Sequence, residues 1–133
     1  MKFPRITRLR LGVLLLGLGL AQSASWNFQR YLRIQGLADE QVMAEALCRQ
    51  KANVCEEMSP KLREVAALAR EMVRSATSDF ERIKWLDMAK AEEAKAARFE
   101  HEAIVLMGRA NLLAGRAVEL SRAAWQPWSD VGE

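Results

Sequence analysis

A seven-residue repeat of alanine in the C-terminal half of the chain constrains the fold more than any other feature. Alanine alternates with a larger residue at steps of three and four, which keeps all of these side chains on one face of an α-helix. Small and large side chains in alternation let a second helix approach closely while the large ones fill the space between. The repeat comprises Ala96, Phe99, Ala103, Leu106, Ala110, Leu113, Ala117, Leu120 and Ala124. It predicts one long amphipathic helix over about residues 79–124.

Sequence signals at both ends delimit this helix. Ser78 followed by Glu81 forms a capping box, and Asp79 adds a negative charge at the positive end of the helix dipole. Pro127 stops the helix, so residues 126–133 are predicted to form a flexible tail. The helix has roughly 45 residues and is about 70 Å long at 1.5 Å per residue.

Two shorter helices are predicted before the long one. The first, about 39–58, begins at Asp39 as N-cap, and the second, about 60–76, begins where Ser59 is followed by Pro60. The fold class is therefore all-α: a small helical bundle or hairpin in which the two shorter helices cover the long one. Residues 39–125 form the bundle, and residues 24–38 are a lead-in, either a short helix or irregular, that closes at Gly36.

The first 23 residues resemble a Sec-type secretory signal peptide. A basic segment is followed by an apolar core, Leu11 to Leu20, and then by Ala21-Gln22-Ser23 with small residues at a candidate cleavage site. The apolar core is shorter than the ~20 residues of a typical spanning helix, which favours cleavage after about Ser23. The alternative is an uncleaved membrane anchor with an aromatic belt of Trp26, Phe28 and Tyr31. Both interpretations predict a periplasmic or inner-membrane-tethered protein of a bacterial-type cell envelope that faces the periplasm.

The charge distribution argues against nucleic acid as a partner. The formal net charge is +3, but four of the 20 basic side chains lie within the first ten residues. The remaining chain carries 16 basic and 17 acidic groups and is close to neutral. A nucleic-acid-binding domain needs a positive patch on its folded body, which this balance does not supply.

Two cysteines, Cys48 and Cys55, leave three alternatives open. At seven residues apart in one helix their Cα atoms are about 10.5 Å apart, beyond the ~7 Å that a disulfide tolerates. A break near Asn53 would permit an internal bridge, a second chain would permit intermolecular bridges, or both thiols stay reduced and packed. The spacing is not that of a CxxC redox motif.

No catalytic, cofactor-binding or metal-binding site is predicted. His101 is the only histidine, lies between Glu100 and Glu102, and has no plausible nucleophile beside it. Glu92 and Glu93 stand among basic residues and are typical of a solvated helix face. Phosphate-binding loops, HExxH and GxSxG motifs are absent from the sequence. The chain is therefore expected to be non-enzymatic.

The apolar surface of the long helix is wider than one seam requires, which predicts a protein partner or self-association. The predicted interaction residues are Ala103, Ala110 and Ala117 on the seam and Ile104, Val105, Leu112 and Val118 on its flank. The expected function is a scaffold, assembly or accessory subunit of a larger envelope complex, with membrane contact at the N-terminus. A small periplasmic chaperone or metal-sensing module is the alternative. A phage-type membrane-anchored spanin is a further alternative.

Overall fold

The computed structural model describes residues 5–125, with side chains from Arg10 onward, and consists of two α-helices. Helix α1 spans Arg5–Ser75 and helix α2 spans Asp79–Trp125. These described residues contain no strand, so the all-α prediction is confirmed. The predicted bounds of α2 agree with the structure to within one residue. The tail at residues 126–133 lies outside the described residues.

The start of α2 is capped by the predicted serine. The Oγ of Ser78 accepts a hydrogen bond from the backbone N–H of Glu81 at 3.2 Å. The carboxylate of Glu81 accepts from the backbone N–H of Thr77 at 3.4 Å, one residue earlier than an ideal capping box requires. The first contact satisfies a backbone donor that the first helical turn leaves open, and the second satisfies the N–H of Thr77 just before the helix.

The prediction of three helices is wrong, because residues 39–58 and 60–76 belong to the single helix α1. Asp39 lies inside the helix and accepts a hydrogen bond from Gln35 at 3.4 Å instead of capping a helix start. Gly36 also lies inside α1, so the lead-in at 24–38 is helical throughout.

Pro60 lies inside α1 because the packing face continues on both sides of it. A proline inside a helix costs roughly 3 kcal/mol, since it removes one hydrogen bond and crowds the preceding turn. The buried positions nevertheless keep steps of three, four and seven residues through this point, and are Ala52, Cys55, Ser59, Ala66 and Ala69. A break at Pro60 would separate half of these buried side chains from α2. The helix therefore continues through Pro60, although Ser59-Pro60 is a helix-start signal when considered alone.

The chain divides into two compact units, of which the unit at residues 41–115 is an antiparallel pair of helical segments. Residues 76–78 reverse the chain between α1 and α2. The buried side chains of this unit are small: alanines 52, 66, 69, 89, 96, 103 and 110, with Cys55 and Ser59. No large side chain among the described residues is fully buried. The two helical segments thus meet through alanine, and the alanine seam packs against α1 of the same chain.

The register of this unit places small residues of α1 opposite small residues of α2. Arg63 contacts Glu100, and Arg70 contacts Glu93, so each step forward along α1 corresponds to a step backward along α2. The same register places Ala66 near Ala96, and it places Ser59 near Ala103 and Ala52 near Ala110. The small side chains of alanine and serine on both helices allow the backbones to approach closely.

The other unit contains residues 1–40 and 116–133, of which residues 5–40 and 116–125 are described. Its buried side chains are again alanines, at positions 38, 117 and 124. The rings of Tyr31 and Trp125 pack edge to face with centroids 5.4 Å apart.

The N-terminal part of α1 exposes large apolar side chains. Leu11 to Leu20 contains leucines and a valine that are each more than 60% exposed. Among the described residues this is the one helix whose length and composition would allow it to cross a membrane, and a signal sequence shares that composition. The structure is compatible with membrane tethering through this segment.

Candidate partner-binding face

Polar contacts between α1 and α2 fix the register of the unit at residues 41–115. The guanidinium of Arg63 donates to both carboxylate oxygens of Glu100, at 2.8 and 2.9 Å from Nη2 and 3.0 Å from Nε. Arg70 binds the carboxylate of Glu93 through Nε and Nη2, both at 2.9 Å. Paired donors on a planar group match the two carboxylate oxygens and specify geometry as well as attraction. A slip of one residue would break both contacts.

Glu100 carries the best-connected carboxylate of this set. The hydroxyl of Ser59, itself buried, donates to Glu100 Oε1 at 2.7 Å. The hydrogen bond from Ser59, and after it those from Arg63, hold the pKa of the Glu100 carboxyl below its ordinary value. The group therefore stays ionised at neutral pH and ties the middle of α2 to α1.

Gln41 contributes an unsatisfied polar atom to the helix pairing. Its side-chain Oε1 is buried and has no hydrogen-bond partner among the described residues. An unpaired buried acceptor costs about 1–3 kcal/mol. The sequence prediction did not include Gln41, although a glutamine in a row of small buried residues is a signal that could have identified it.

A largely apolar surface whose own residues carry no charge runs along α2 beside the face that packs on α1, and at its border Asn111 Oδ1 accepts a hydrogen bond from Nη2 of Arg49 of α1 at 3.3 Å. We call it the outer face, defined by Ile104, Val105, Gly108, Asn111, Leu112 and Gly115. The side chains of Ile104, Val105 and Leu112 are 71%, 53% and 70% exposed, respectively. A Cβ added at either glycine would meet no atom within 4 Å. Large side chains therefore border a line of glycines that is open to solvent.

The outer face continues into a concavity around Pro60. This concavity, of about 450 Å³, is lined by Glu56, Ser59, Pro60, Arg63, Glu100, Ala103 and Ile104. Because proline has no N–H, the carbonyl of Glu56 lacks the donor that a regular helix would supply four residues later. Ile104 belongs to both surfaces. The concavity was missed in the sequence, where Pro60 was interpreted as a helix boundary.

The structure separates the predicted interaction residues into two groups. Ala103 and Ala110 are buried against α1 in the unit at 41–115, and Ala117 is buried in the other unit. Ile104, Val105 and Leu112 are exposed on the outer face, and Val118, in the other unit, is 51% exposed. Only the second group is accessible to another molecule in this conformation of the chain.

Both cysteines lie on the side of α1 that packs against α2. Cys55 is buried and Cys48 is half-buried, and both are free thiols. Burial, and after it the negative charge of Glu102, raises the pKa of the Cys55 thiol. Helix α1 is unbroken at Asn53, so the Cα separation of about 10.5 Å applies and an internal Cys48–Cys55 bridge does not fit this conformation. An intermolecular bridge stays a prediction.

The remaining candidate residues are His101, Glu92 and Glu93. His101 is exposed, and residues 5–125 contain no cluster of three or more histidine, cysteine or acidic residues that could hold a metal ion. The carboxylate of Glu92 is half-buried and accepts from Lys95 at 2.6 Å. Glu93, interpreted from the sequence as solvated, instead pairs with Arg70 across the helices.

Comparisons with known proteins supply no relative from which a function could be inferred. No protein-family model, no curated protein and no solved structure matches the chain.

Proposed function

We propose that this protein is a non-enzymatic, membrane-tethered subunit of a cell-envelope complex, in which the outer face of α2 binds a helix of another protein or of a second copy. The observation that carries the proposal is the exposure of Ile104 and Leu112, each at least 70% open, on a surface whose own α2 residues carry no charge. Single exposed apolar residues are common on soluble proteins, but a contiguous uncharged group of them marks an interaction site.

The shape of the outer face suits a helical partner. Gly108 and Gly115 are seven residues apart, so they lie on one line along the helix, and both are open. A partner helix could approach the backbone there while its side chains fill the space beside Ile104, Val105 and Leu112.

The first part of α1 supplies the proposed tether. Its apolar side chains are exposed, and nothing in the described unit at residues 5–40 and 116–125 buries them. A membrane would cover this surface at no cost in unsatisfied backbone groups, because a helix satisfies its own hydrogen bonds. The orientation toward the periplasm rests on the four basic side chains before Leu11, which favour the cytoplasmic side.

The proposed tether depends on whether the first 23 residues stay on the mature chain. Intact-mass measurement of the protein from membrane and soluble fractions answers this directly. A full-length mass in the membrane fraction supports the anchor, whereas a soluble chain that begins near Ala24 makes the segment a cleaved signal peptide and removes the tether.

The binding surface is tested by introducing charge on the outer face. Ile104→Glu combined with Leu112→Glu is expected to release the protein from its complex in crosslinking and co-purification, while circular dichroism shows unchanged helix content. The control is Ala91→Glu with Ala94→Glu, which adds the same charge at exposed positions of the same helix.

Two outcomes would contradict the proposed binding surface. If the wild-type protein sediments as a monomer at micromolar concentration and crosslinks to no other protein, the face has no partner. If the double variant unfolds while the control does not, Ile104 and Leu112 stabilise the fold of this chain instead of a complex.

A further inference from the structure

A second line of exposed side chains, mostly apolar, runs along α1 within the unit at residues 41–115. We call it the exposed row. Its positions follow one another at steps of three and four residues, which places them on one side of the helix. They are Met43, Leu47, Gln50, Val54, Glu57, Lys61, Val65, Leu68 and Met72. The six apolar members are 44–75% exposed, so packing of α1 on α2 leaves all of them open to solvent.

The exposed row is separate from the side of α1 that packs on α2. Val54, Lys61 and Leu68 each lie two positions after a buried residue of α1. At about 100° per residue, two positions turn a side chain by about 200° around the helix axis. The N-terminal end of the row borders a concavity of about 450 Å³, which is lined by Met43, Ala44, Ala46, Leu47 and Gln50. The row is therefore accessible to a second molecule.

The apolar ends of the exposed row mirror each other. Met43 and Met72 are equally far from a midpoint between residues 57 and 58. Leu47 and Leu68 are equally far from the same midpoint. In a two-fold symmetric dimer, position i of one copy contacts position j of the other, and j contacts i. An antiparallel pairing of two exposed rows around this midpoint therefore places methionine opposite methionine and leucine opposite leucine.

The centre of the exposed row supplies complementary charges. Glu57 and Lys61 are both exposed, and within residues 10–125 neither forms a salt bridge. In the antiparallel pairing, Glu57 lies three positions from the level of Lys61 of the second copy, about 4.5 Å along the axis, and this contact occurs twice. A parallel pairing in register would instead bring like charges together at both positions. The two mixed pairs of the antiparallel arrangement are Lys61 with Val54 and Gln50 with Val65.

We propose that the exposed row of α1 binds the exposed row of a second copy of this chain in an antiparallel, two-fold symmetric dimer. Leu68 and Met72 of each copy then lie over the concavity beside Met43 and Leu47 of the other. The surface differs from the outer face of α2, so the inference goes beyond the proposed function. It does not rest on the tether, because residues 43–72 belong to the unit at residues 41–115, outside the first 23 residues.

Replacements of the central charges test the pairing. The full-length protein in detergent is followed by sedimentation velocity at micromolar concentration, and the wild type is expected to be a dimer. Glu57→Lys and Lys61→Glu each replace two attractive contacts by repulsive ones, so each should raise the Kd of dimerisation by about tenfold. An equimolar mixture of the two variants should dimerise again, because lysines of one chain then face glutamates of the other. Circular dichroism is expected to show unchanged helix content in both variants.

Crosslinking tests the direction of the pairing. Leu47→Cys and Leu68→Cys are introduced into separate copies that also carry Cys48→Ser and Cys55→Ala, and a short bismaleimide is added. The mixture of the two copies should crosslink, because positions 47 and 68 lie opposite each other. The Leu47→Cys copy alone is the control. Its two cysteines would lie 21 positions apart along the dimer, about 32 Å, and should not be joined.

Several results would overturn the proposal. They are a monomeric wild type, a dimer that Glu57→Lys and Lys61→Glu leave intact, absence of rescue in their mixture, and efficient crosslinking of the Leu47→Cys copy alone. A dimer that is lost in Ile104→Glu with Leu112→Glu but kept in Glu57→Lys would place the second copy on the outer face of α2. That result would support the proposed function and refute the dimer through α1.

Discussion

Replacing Ala110 by leucine tests whether the alanine seam is a close-packed contact. Ala110 is completely buried, and the register places it near Ala52 on α1. Three additional heavy atoms have no space there, so the helices must separate locally or the new side chain must leave its preferred rotamers. Insertion of methylenes into a packed core typically costs about 1–3 kcal/mol.

The magnitude translates into a measurable shift of the melting temperature. For a domain of roughly 60–100 residues, each kcal/mol changes Tm by about 4–8 °C. Ala110→Leu is therefore expected to lower Tm by roughly 4–24 °C, measured by circular dichroism at 222 nm or by calorimetry. Alanine and leucine have nearly equal helix propensities, so the change isolates packing from helix formation.

The matched control is Ala94→Leu on the same helix. Ala94 is exposed, so the same atoms are added without a neighbouring helix to displace. Its free energy of unfolding should change by no more than is typical of surface substitutions, about 0.5 kcal/mol, so its Tm should change little. Equal shifts in Ala110→Leu and Ala94→Leu would refute the assignment of the seam.

Three further predictions concern polar groups in the unit at residues 41–115. Gln41→Leu should raise the free energy of unfolding in urea by about 1 kcal/mol or more, because it removes an unpaired buried acceptor; an unchanged midpoint would show that the amide has a partner in solution. The pKa of Glu100 is lowered in the folded state, so its stabilising contribution is present above the ordinary carboxyl pKa and is lost as pH falls through the lowered one. Unfolding midpoints from neutral to acidic pH should therefore fall less steeply in Glu100→Gln than in the wild type, and parallel pH profiles would contradict this. Iodoacetamide at mildly alkaline pH should modify Cys48 before Cys55, because the Cys55 thiol is buried and its pKa is raised; peptide mapping by mass spectrometry gives the order, and the reverse order would exclude the burial described.

Local signals and periodicity were sufficient to place α2. The capping residue Ser78 and the three- and four-residue steps from Ala96 to Ala124 are both features of one continuous segment. The cap depends on hydrogen bonds within α2, and the steps require only that some partner helix exists. Neither feature requires the position of that partner helix to be known.

The division of α1 was wrong because a local signal was weighed without the packing that opposes it. Ser59 followed by Pro60 is a good helix start in isolation. In the chain, Ser59 is buried against α2 and donates to Glu100, so the residue interpreted as a cap is part of the interhelical contact. The steps from Ala52 to Ala69 continue through the proline, and this periodicity was available in the sequence.

The contacts across the helices could not be predicted, because they depend on the register of two segments that are far apart in sequence. Arg70 and Glu93, or Arg63 and Glu100, are indistinguishable from other charged residues until the turn at 76–78 sets which positions oppose each other. The apolar flank with Ile104 and Leu112 was identified because its width exceeds what one seam can bury. Its adjoining concavity needed the three-dimensional position of Pro60.

The order of contacts away from the turn has a consequence for how this unit folds. The contacts Arg70–Glu93, Arg63–Glu100 and Arg49–Asn111 join residues 23, 37 and 62 positions apart. Loop-closure entropy grows with this separation, so the contact nearest the turn is the least costly to form first. Each contact then shortens the free loop of the next, and the pair closes progressively from residues 76–78 outward. Amide protons near the turn should consequently exchange with solvent more slowly than those near Arg49 and Asn111, and during synthesis α1 makes none of these contacts until α2 has emerged.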